Sequence, residues 1–199
     1  MRTYTVANYR RDAREIDVDF MLHSHPESTQ NSVAESWAMQ AKAGDTIPIF
    51  GPGPATFINP DADWFLLAAD MTALPALTAS LARLPDDATG YVVVEILSAD
   101  DRQTLQVPEN VSIKWVVNPT AGSDDSPLYE VIKQLQWLDG RVSVWTACEF
   151  KTMKKIRQYY REARHVPKSN LYISSYWKKG LTEEAHKVAK KEDAADQSA

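Results

Sequence analysis

The chain has 199 residues, 44% hydrophobic and 25% charged, with a single cysteine and a net charge of −5. This is the profile of a globular chain long enough for one large domain or two small ones. It excludes a transmembrane helix, since no apolar stretch approaches ~18 residues, and an internal disulfide or CxxC metal site, since Cys148 stands alone; MRTYTVANYRRDARE has no apolar core, so secretion is not expected. A reducing, cytoplasmic location is therefore expected. The charge is uneven. Residues 151–191 hold 12 Lys and Arg against 3 Asp and Glu, a net +9, which leaves −14 on the rest. A localised site for an anion would explain the split, and so would a solvated basic helix.

The front of the chain is β-patterned. Residues 3–6 alternate, and residues 15–22 (EIDVDFML) alternate charged and apolar side chains as a half-buried strand does. Residues 32–42 form a helical pattern with Val33, Trp37 and Ala41 on one face. Residues 46–50 read as a strand after a Gly44-Asp45 turn, and Gly51-Pro52-Gly53-Pro54 breaks it. The pattern then changes. Apolar runs at 64–68 (WFLLA), 90–97 (GYVVVEIL), 112–117 (SIKWVV), 142–147 and 171–174 are strands of the kind buried on both faces. Helical patterns separate them at 72–84, with Thr72 as cap and Pro75 in the first turn, at 128–138 and at 149–164. A polar helix at 182–191 follows, and EDAADQSA is expected to fray. Strands alternating with helices imply a parallel sheet. The expected domains are 1–56, β-rich, and 57–199, α/β.

Several motifs could carry chemistry. The short turn Ala69-Asp70-Met71-Thr72-Ala73 leads a strand into a helix N-terminus, where phosphates bind, although GxGxxG is absent. Arg2 and Tyr4 share one strand face, an arrangement suited to a phosphate and a flat heterocycle, and equally to an edge strand. His23 and His25 are two apart, but spacing supplies no third metal ligand, and no metal is expected. Tyr176-Trp177-Lys178-Lys179-Gly180 ends the last strand with aromatic rings and cations. Cys148 precedes a helix but has no nearby histidine, and packing is its expected role.

In order, these elements resemble the siderophore-interacting protein family, FAD-containing ferric-siderophore reductases of the ferredoxin-reductase-like superfamily. The resemblance rests on Arg2-Thr3-Tyr4-Thr5, Asp19-Phe20-Met21-Leu22-His23, Trp37-Ala38, Gly44-Asp45 and Gly51-Pro52. It continues through Asp63-Trp64-Phe65-Leu66-Leu67-Ala68, Asp70, Thr72-Ala73-Leu74-Pro75, Ala147-Cys148-Glu149 and Ser175-Tyr176-Trp177-Lys178-Lys179-Gly180. The departures are Ala7 for an arginine, Cys148 and Ser175 for glycines, and a longer loop at residues 25–31. The resemblance implies an NAD(P)-domain-like α/β sheet behind a flavin-binding β-barrel; strands precede the R-x-Y-T motif in the family and Arg2 is the second residue here, so the barrel is expected to be N-terminally incomplete, through a misassigned start, a fragment or a divergent form.

It also implies a chemistry. Electrons pass from NAD(P)H, or a ferredoxin, through FAD to Fe(III) in a siderophore, and Fe(II) is released. The cofactor carries the reaction, so no catalytic acid, base or nucleophile is expected. The resemblance assigns Arg2 to the FAD pyrophosphate, with Thr3 beside it, Tyr4 to the isoalloxazine and Thr5 to its edge. His23, Trp37 and Ala38 take the phosphate and adenine side, and Asp70, Thr72 and Ala73 the helix N-terminus against flavin or dinucleotide. Trp177 lies over the flavin ring. Lys178 and Lys179, with Lys154, Lys155 and Arg157, attract an anionic ferric siderophore or the 2′-phosphate of the cofactor. No nucleic-acid or membrane partner is expected, and the chain is expected to be a monomer. The alternatives are a flavin reductase with another acceptor, or a siderophore- or nucleotide-binding module without turnover.

Overall fold

The computed structural model describes residues 2–21, 33–51, 53 and 58–197. It divides into two compact units: Tyr4–Thr56, and Met1–Thr3 together with Phe57–Ala199.

In the larger unit the apolar runs become a five-stranded parallel sheet. Its strands are β3 (Trp64–Asp70), β4 (Thr89–Ile96), β5 (Asn110–Val117), β6 (Val142–Glu149) and β7 (Leu171–Trp177), in the order β5-β4-β3-β6-β7. Every residue of β3 and β6 is buried, as central strands covered on both faces must be. On one face α2 (Leu74–Leu81) packs Leu74, Leu77 and Leu81 against Phe65, Leu67, Val92 and Val94. On the other, α3 (Pro127–Gln134) and α4 (Phe150–Gln158) pack Leu128, Ile132, Met153 and Ile156 against Leu66, Ala68, Val93 and Val144. Each such fully buried aliphatic side chain contributes about 1.5–3 kcal/mol. Gly90 marks the tightest backbone approach. Its φ is +147°, and a Cβ there would stand 1.9 Å from the Phe65 carbonyl oxygen.

Several boundaries differ from the sequence expectation. The helix expected at 72–84 is a 3₁₀ turn (Met71–Ala73) followed by α2, and its capping side chain is Asp70 rather than Thr72: Asp70 Oδ1 accepts the Thr72 N–H at 3.0 Å. The helix expected at 149–164 is α4 followed by a π-helical turn (Tyr159–Ala163), closed by Arg164 N–H donating to Tyr159 O. Strand β7 runs on through Trp177, three residues past the expected end. The final helix α5 (Glu183–Asp196) includes most of the segment expected to fray. A non-local ion pair holds it there: Arg157 donates to both oxygens of Asp193, at 2.6 and 2.7 Å.

Among its described residues the smaller unit contains an antiparallel pair, β1 (Val6–Arg10) and β2 (Glu15–Val18), and one helix, α1 (Val33–Gln40). The strand expected at 3–6 therefore begins where that range ends. Arg10 forks onto Asp17, with two contacts of 2.6 Å, and reaches Glu15 at 2.9 Å. These are exposed contacts that set register more than stability. Residues 46–50, expected as a strand, are irregular and exposed. Alternation specified which side chains would share a face but not a partner strand, and none pairs there among the described residues. No described residue of 4–56 is buried.

Candidate functional site

The order of the parallel sheet reverses direction between β3 and β6. Outside the carboxyl ends of those strands an open α/β sheet has its ligand crevice. Three acids gather at this end: Asp70 closes β3, Glu95 lies opposite it in register on β4, and Glu149 closes β6. All three are buried.

Asp70 and Glu149 are well supplied with donors. Asp70 accepts from Thr72 N–H, from Thr72 Oγ1–H at 2.5 Å and, through Oδ2, from the Trp177 indole N–H at 2.7 Å. Glu149 caps α4, accepting the N–H groups of Lys151 at 2.5 Å and Thr152 at 3.1 Å, and it accepts the Lys179 N–H at 3.3 Å. Glu95 is the poorly supplied member: its Oε2 has no hydrogen-bond partner among the described residues. Burial pushes the Glu95 carboxyl up from the usual range, against hydrogen bonds from the Asn118 side chain and the Leu128 backbone, with the charges of Asp70 and Glu149 adding to the rise. Burial likewise raises Asp70, against the pull of its hydrogen bonds. The Cys148 thiol, buried beside all three acids, is pushed well up, first by burial and then by their charges. It is a poor nucleophile, as its packing role required.

The sequence-derived residues are distributed over both units. In the larger one, Asp70, Thr72, Ala73 and Trp177 come together at the mouth of the sheet. Lys178 lies with its ammonium 4.5 Å from the centre of the Phe150 ring, and Lys179 is exposed. Lys155 donates to Asp124 O at 2.6 Å, Lys154 is 3.6 Å from Asp193, and Arg157 is only 8% exposed with both terminal nitrogens on Asp193. The cationic helix is thus held largely by contacts of its own. Arg2 Nε stands 3.9 Å from Glu183, at the outer limit of an ion pair. In the smaller unit, Tyr4, Phe20 and Trp37 form an aromatic row, with centroids 4.8 and 5.9 Å apart. Thr5 and Ala38 are half-buried, and Thr3, in the larger unit, is exposed. His23 and His25 lie outside the described residues.

Three features of the site went unread in the sequence. Glu95 was visible as the one charge within YVVVEIL. Gly122, whose loop meets Trp177, had no distinguishing neighbours. The third is the docking of α5 on β7: Ser175 Oγ lies 2.8 Å from buried His186 Nε2, and Lys190 Nζ donates to Ser174 Oγ at 2.6 Å and Ser175 O at 3.1 Å. Burial, with Lys190 nearby, holds His186 below its ordinary value. A histidine lowered in the fold contributes stability above its unfolded pKa of about 6.5 and loses it as pH falls through that range. Thermal stability should therefore drop between pH 7.5 and 5.5, and His186→Gln should flatten that dependence in calorimetry. An unchanged slope would show that His186 does not control it.

The sheet order, with helices on both faces, defines a doubly wound α/β domain. Residues 62–180 match the family model described as siderophore-interacting protein, and residues 1–56 match the siderophore-interacting FAD-binding domain. The chain belongs to the siderophore-interacting protein family. An uncharacterized protein of Mycobacterium tuberculosis is 39% identical over 202 residues, covering 96% of this chain and 70% of that one. Ferric vibriobactin reductase ViuB of Vibrio cholerae is 33% identical over 188 residues, covering 93% and 67%. Among solved structures, the siderophore-interacting protein SipS from Aeromonas hydrophila aligns with a TM-score of 0.83 at 32% identity, covering 98% of this chain and 74% of that one. No described helix is long and apolar enough to cross a membrane.

Proposed function

We propose that this chain is an FAD-dependent reductase of ferric siderophores. The observation that carries the reading is the match of residues 1–56 to an FAD-binding domain, on a segment that holds Arg2, Thr3, Tyr4 and Thr5 and the row Tyr4, Phe20 and Trp37. The donor set fits the group: a guanidinium for a pyrophosphate, hydroxyls for ring edges, and aromatic faces for flat heterocycles. One relative that supports the reaction is the ferric vibriobactin reductase.

When bound, FAD supplies the redox chemistry that carries electrons to Fe(III). Arg2 binds its pyrophosphate, with Thr3 beside it. Tyr4 packs on the isoalloxazine and Thr5 hydrogen-bonds its edge. His23, Trp37 and Ala38 serve the phosphate and adenine side. Asp70, Thr72 and Ala73 shape the mouth of the sheet, and Trp177 covers the flavin. Lys178 and Lys179 attract the anionic iron chelate, with long-range help from Lys154, Lys155 and Arg157. The chain works in the cytoplasm as a monomer.

The electron donor is NAD(P)H or a ferredoxin. Asp70 and Glu149 already accept the backbone N–H groups of Thr72, Lys151 and Thr152, the donors a dinucleotide phosphate would use at those helix starts. That supports a donor which needs no phosphate site there. Reconstitution with FAD tests the reading: a yellow protein with flavin bands that persist through gel filtration is expected. A protein that stays colourless would sink it.

A further inference from the structure

Trp177 is gripped from two sides by residues that no sequence motif joins. On one side its indole N–H donates to Asp70 Oδ2 at 2.7 Å, while Asp70 Oδ1 is fixed by Thr72. On the other lies the loop 118–126. Gly122 sits there at φ +73°, so close that a Cβ would stand 2.9 Å from Trp177 Cη2 and 3.1 Å from Lys179 Cβ. The positive φ favours glycine, and any larger residue would have to push the edge of the Trp177 ring aside.

The loop is pinned at several points. Asn118 N–H donates to Ile96 O at 2.7 Å, and Asn118 Oδ1 accepts from Thr120 N–H at 3.1 Å. The Asp124 carboxylate takes Lys151 Nζ at 2.7 Å, and its carbonyl takes Lys155 Nζ at 2.6 Å. Ser126 Oγ meets Thr152 Oγ1 at 3.1 Å. The basic residues of α4 therefore hold a loop in place, and the loop abuts the indole.

We propose that Asp70 and Gly122 are positioning residues that clamp the Trp177 indole in one orientation, and that Lys151 and Lys155 act at a distance by anchoring the Gly122 loop. For Asp70 this replaces direct cofactor contact with action through Trp177. The consequence for catalysis rests on the proposed reading that Trp177 covers the flavin. An indole locked before the flavin binds costs no ordering at that step, and a ring displaced by about 1 Å can cost up to about 100-fold in rate.

The test compares the wild type with Asp70→Asn, Gly122→Ala, Trp177→Phe and the Asp70→Asn/Trp177→Phe double variant. Indole N–H resonances of ¹⁵N-labelled protein read the clamp without any flavin, and Trp177→Phe assigns the resonance by deleting it. Asp70→Asn and Gly122→Ala should each shift that one resonance and leave the others in place. In FAD-loaded protein both should change the flavin absorption and emission and lower kcat about tenfold with KM little changed. Asp70→Asn should add nothing further in the Trp177→Phe background.

An unmoved Trp177 resonance would overturn the clamp. A moved resonance with unchanged flavin spectra and kcat would overturn its positioning role. Equal additional loss from Asp70→Asn in the Trp177→Phe background would show that Asp70 acts elsewhere. Failure of the wild type to bind FAD would instead remove the flavin reading, with the resonance shifts still deciding the clamp.

Discussion

Asp193→Ala is expected to destabilise the larger unit by about 3–5 kcal/mol, the cost typical of breaking one side of a buried ion pair. Asp193 is 8% exposed and accepts from both terminal nitrogens of Arg157. Its removal leaves a buried guanidinium with no counter-charge, and Lys154, 3.6 Å from the same carboxylate, loses its partner as well. Arg157 holds this carboxylate below the usual range, so the contribution is full above an unfolded pKa of about 3.9 and is lost as pH falls through the folded value. A thermal midpoint lower by about 10 °C is expected at pH 7. Limited proteolysis should cut first within α5, because that helix is what the pair ties down. Asp193→Asn, which keeps one acceptor, should recover part of the loss. A midpoint within about 1 °C of wild type would mean that α5 docks without the pair.

Arg2→Ala should weaken FAD binding about 10- to 100-fold, the loss of one charge-assisted phosphate contact of about 1.5–3 kcal/mol. Among the described residues Arg2 makes a long ion pair, 3.9 Å from Glu183. Lys178→Ala is the contrast. That ammonium lies over the Phe150 ring, and its proposed work is on the iron chelate. Flavin content after gel filtration should fall for Arg2→Ala and stay level for Lys178→Ala, while KM for the ferric siderophore should rise only for Lys178→Ala. Equal flavin content in the two variants would contradict the assignment of Arg2.

The two predictions draw on different kinds of information. The parallel sheet was legible because strands buried on both faces are written as uninterrupted apolar runs, WFLLA and YVVVEIL above all. The family was legible because small motifs, each weak alone, came in a fixed order. Asp193 was not legible: EDAAD is polar and terminal, and what orders it is an arginine 36 positions earlier. Residues 46–50 failed as a strand for a related reason, since alternation cannot supply a partner. The π-helical turn at Tyr159–Ala163 was hidden too, because the residues that form it do not interrupt the helical pattern as a Gly or Pro would.

At the site, the sequence located the turn after β3 and the aromatic end of β7, but not their connection. The Trp177–Asp70 hydrogen bond spans 107 positions. Glu95 illustrates the converse. One acid in an apolar run is conspicuous, yet only the fold places it against Asp70 and near Glu149. The charge count of the basic segment fits an anion site or a solvated helix and does not separate its residues. The structure shows Arg157 on Asp193, and Lys151 and Lys155 on the Asp124 loop, with Lys178 and Lys179 nearest the mouth of the sheet.

The central claim is electron transfer to siderophore-bound iron, and one measurement addresses it directly. The FAD-loaded protein is reduced anaerobically and mixed with a ferric siderophore in the presence of a ferrous-specific chromogenic chelator. Fe(II) trapped well above a control holding the same concentration of free reduced FAD is expected, with flavin reoxidation keeping pace. Trapped Fe(II) no greater than in that control would contradict it.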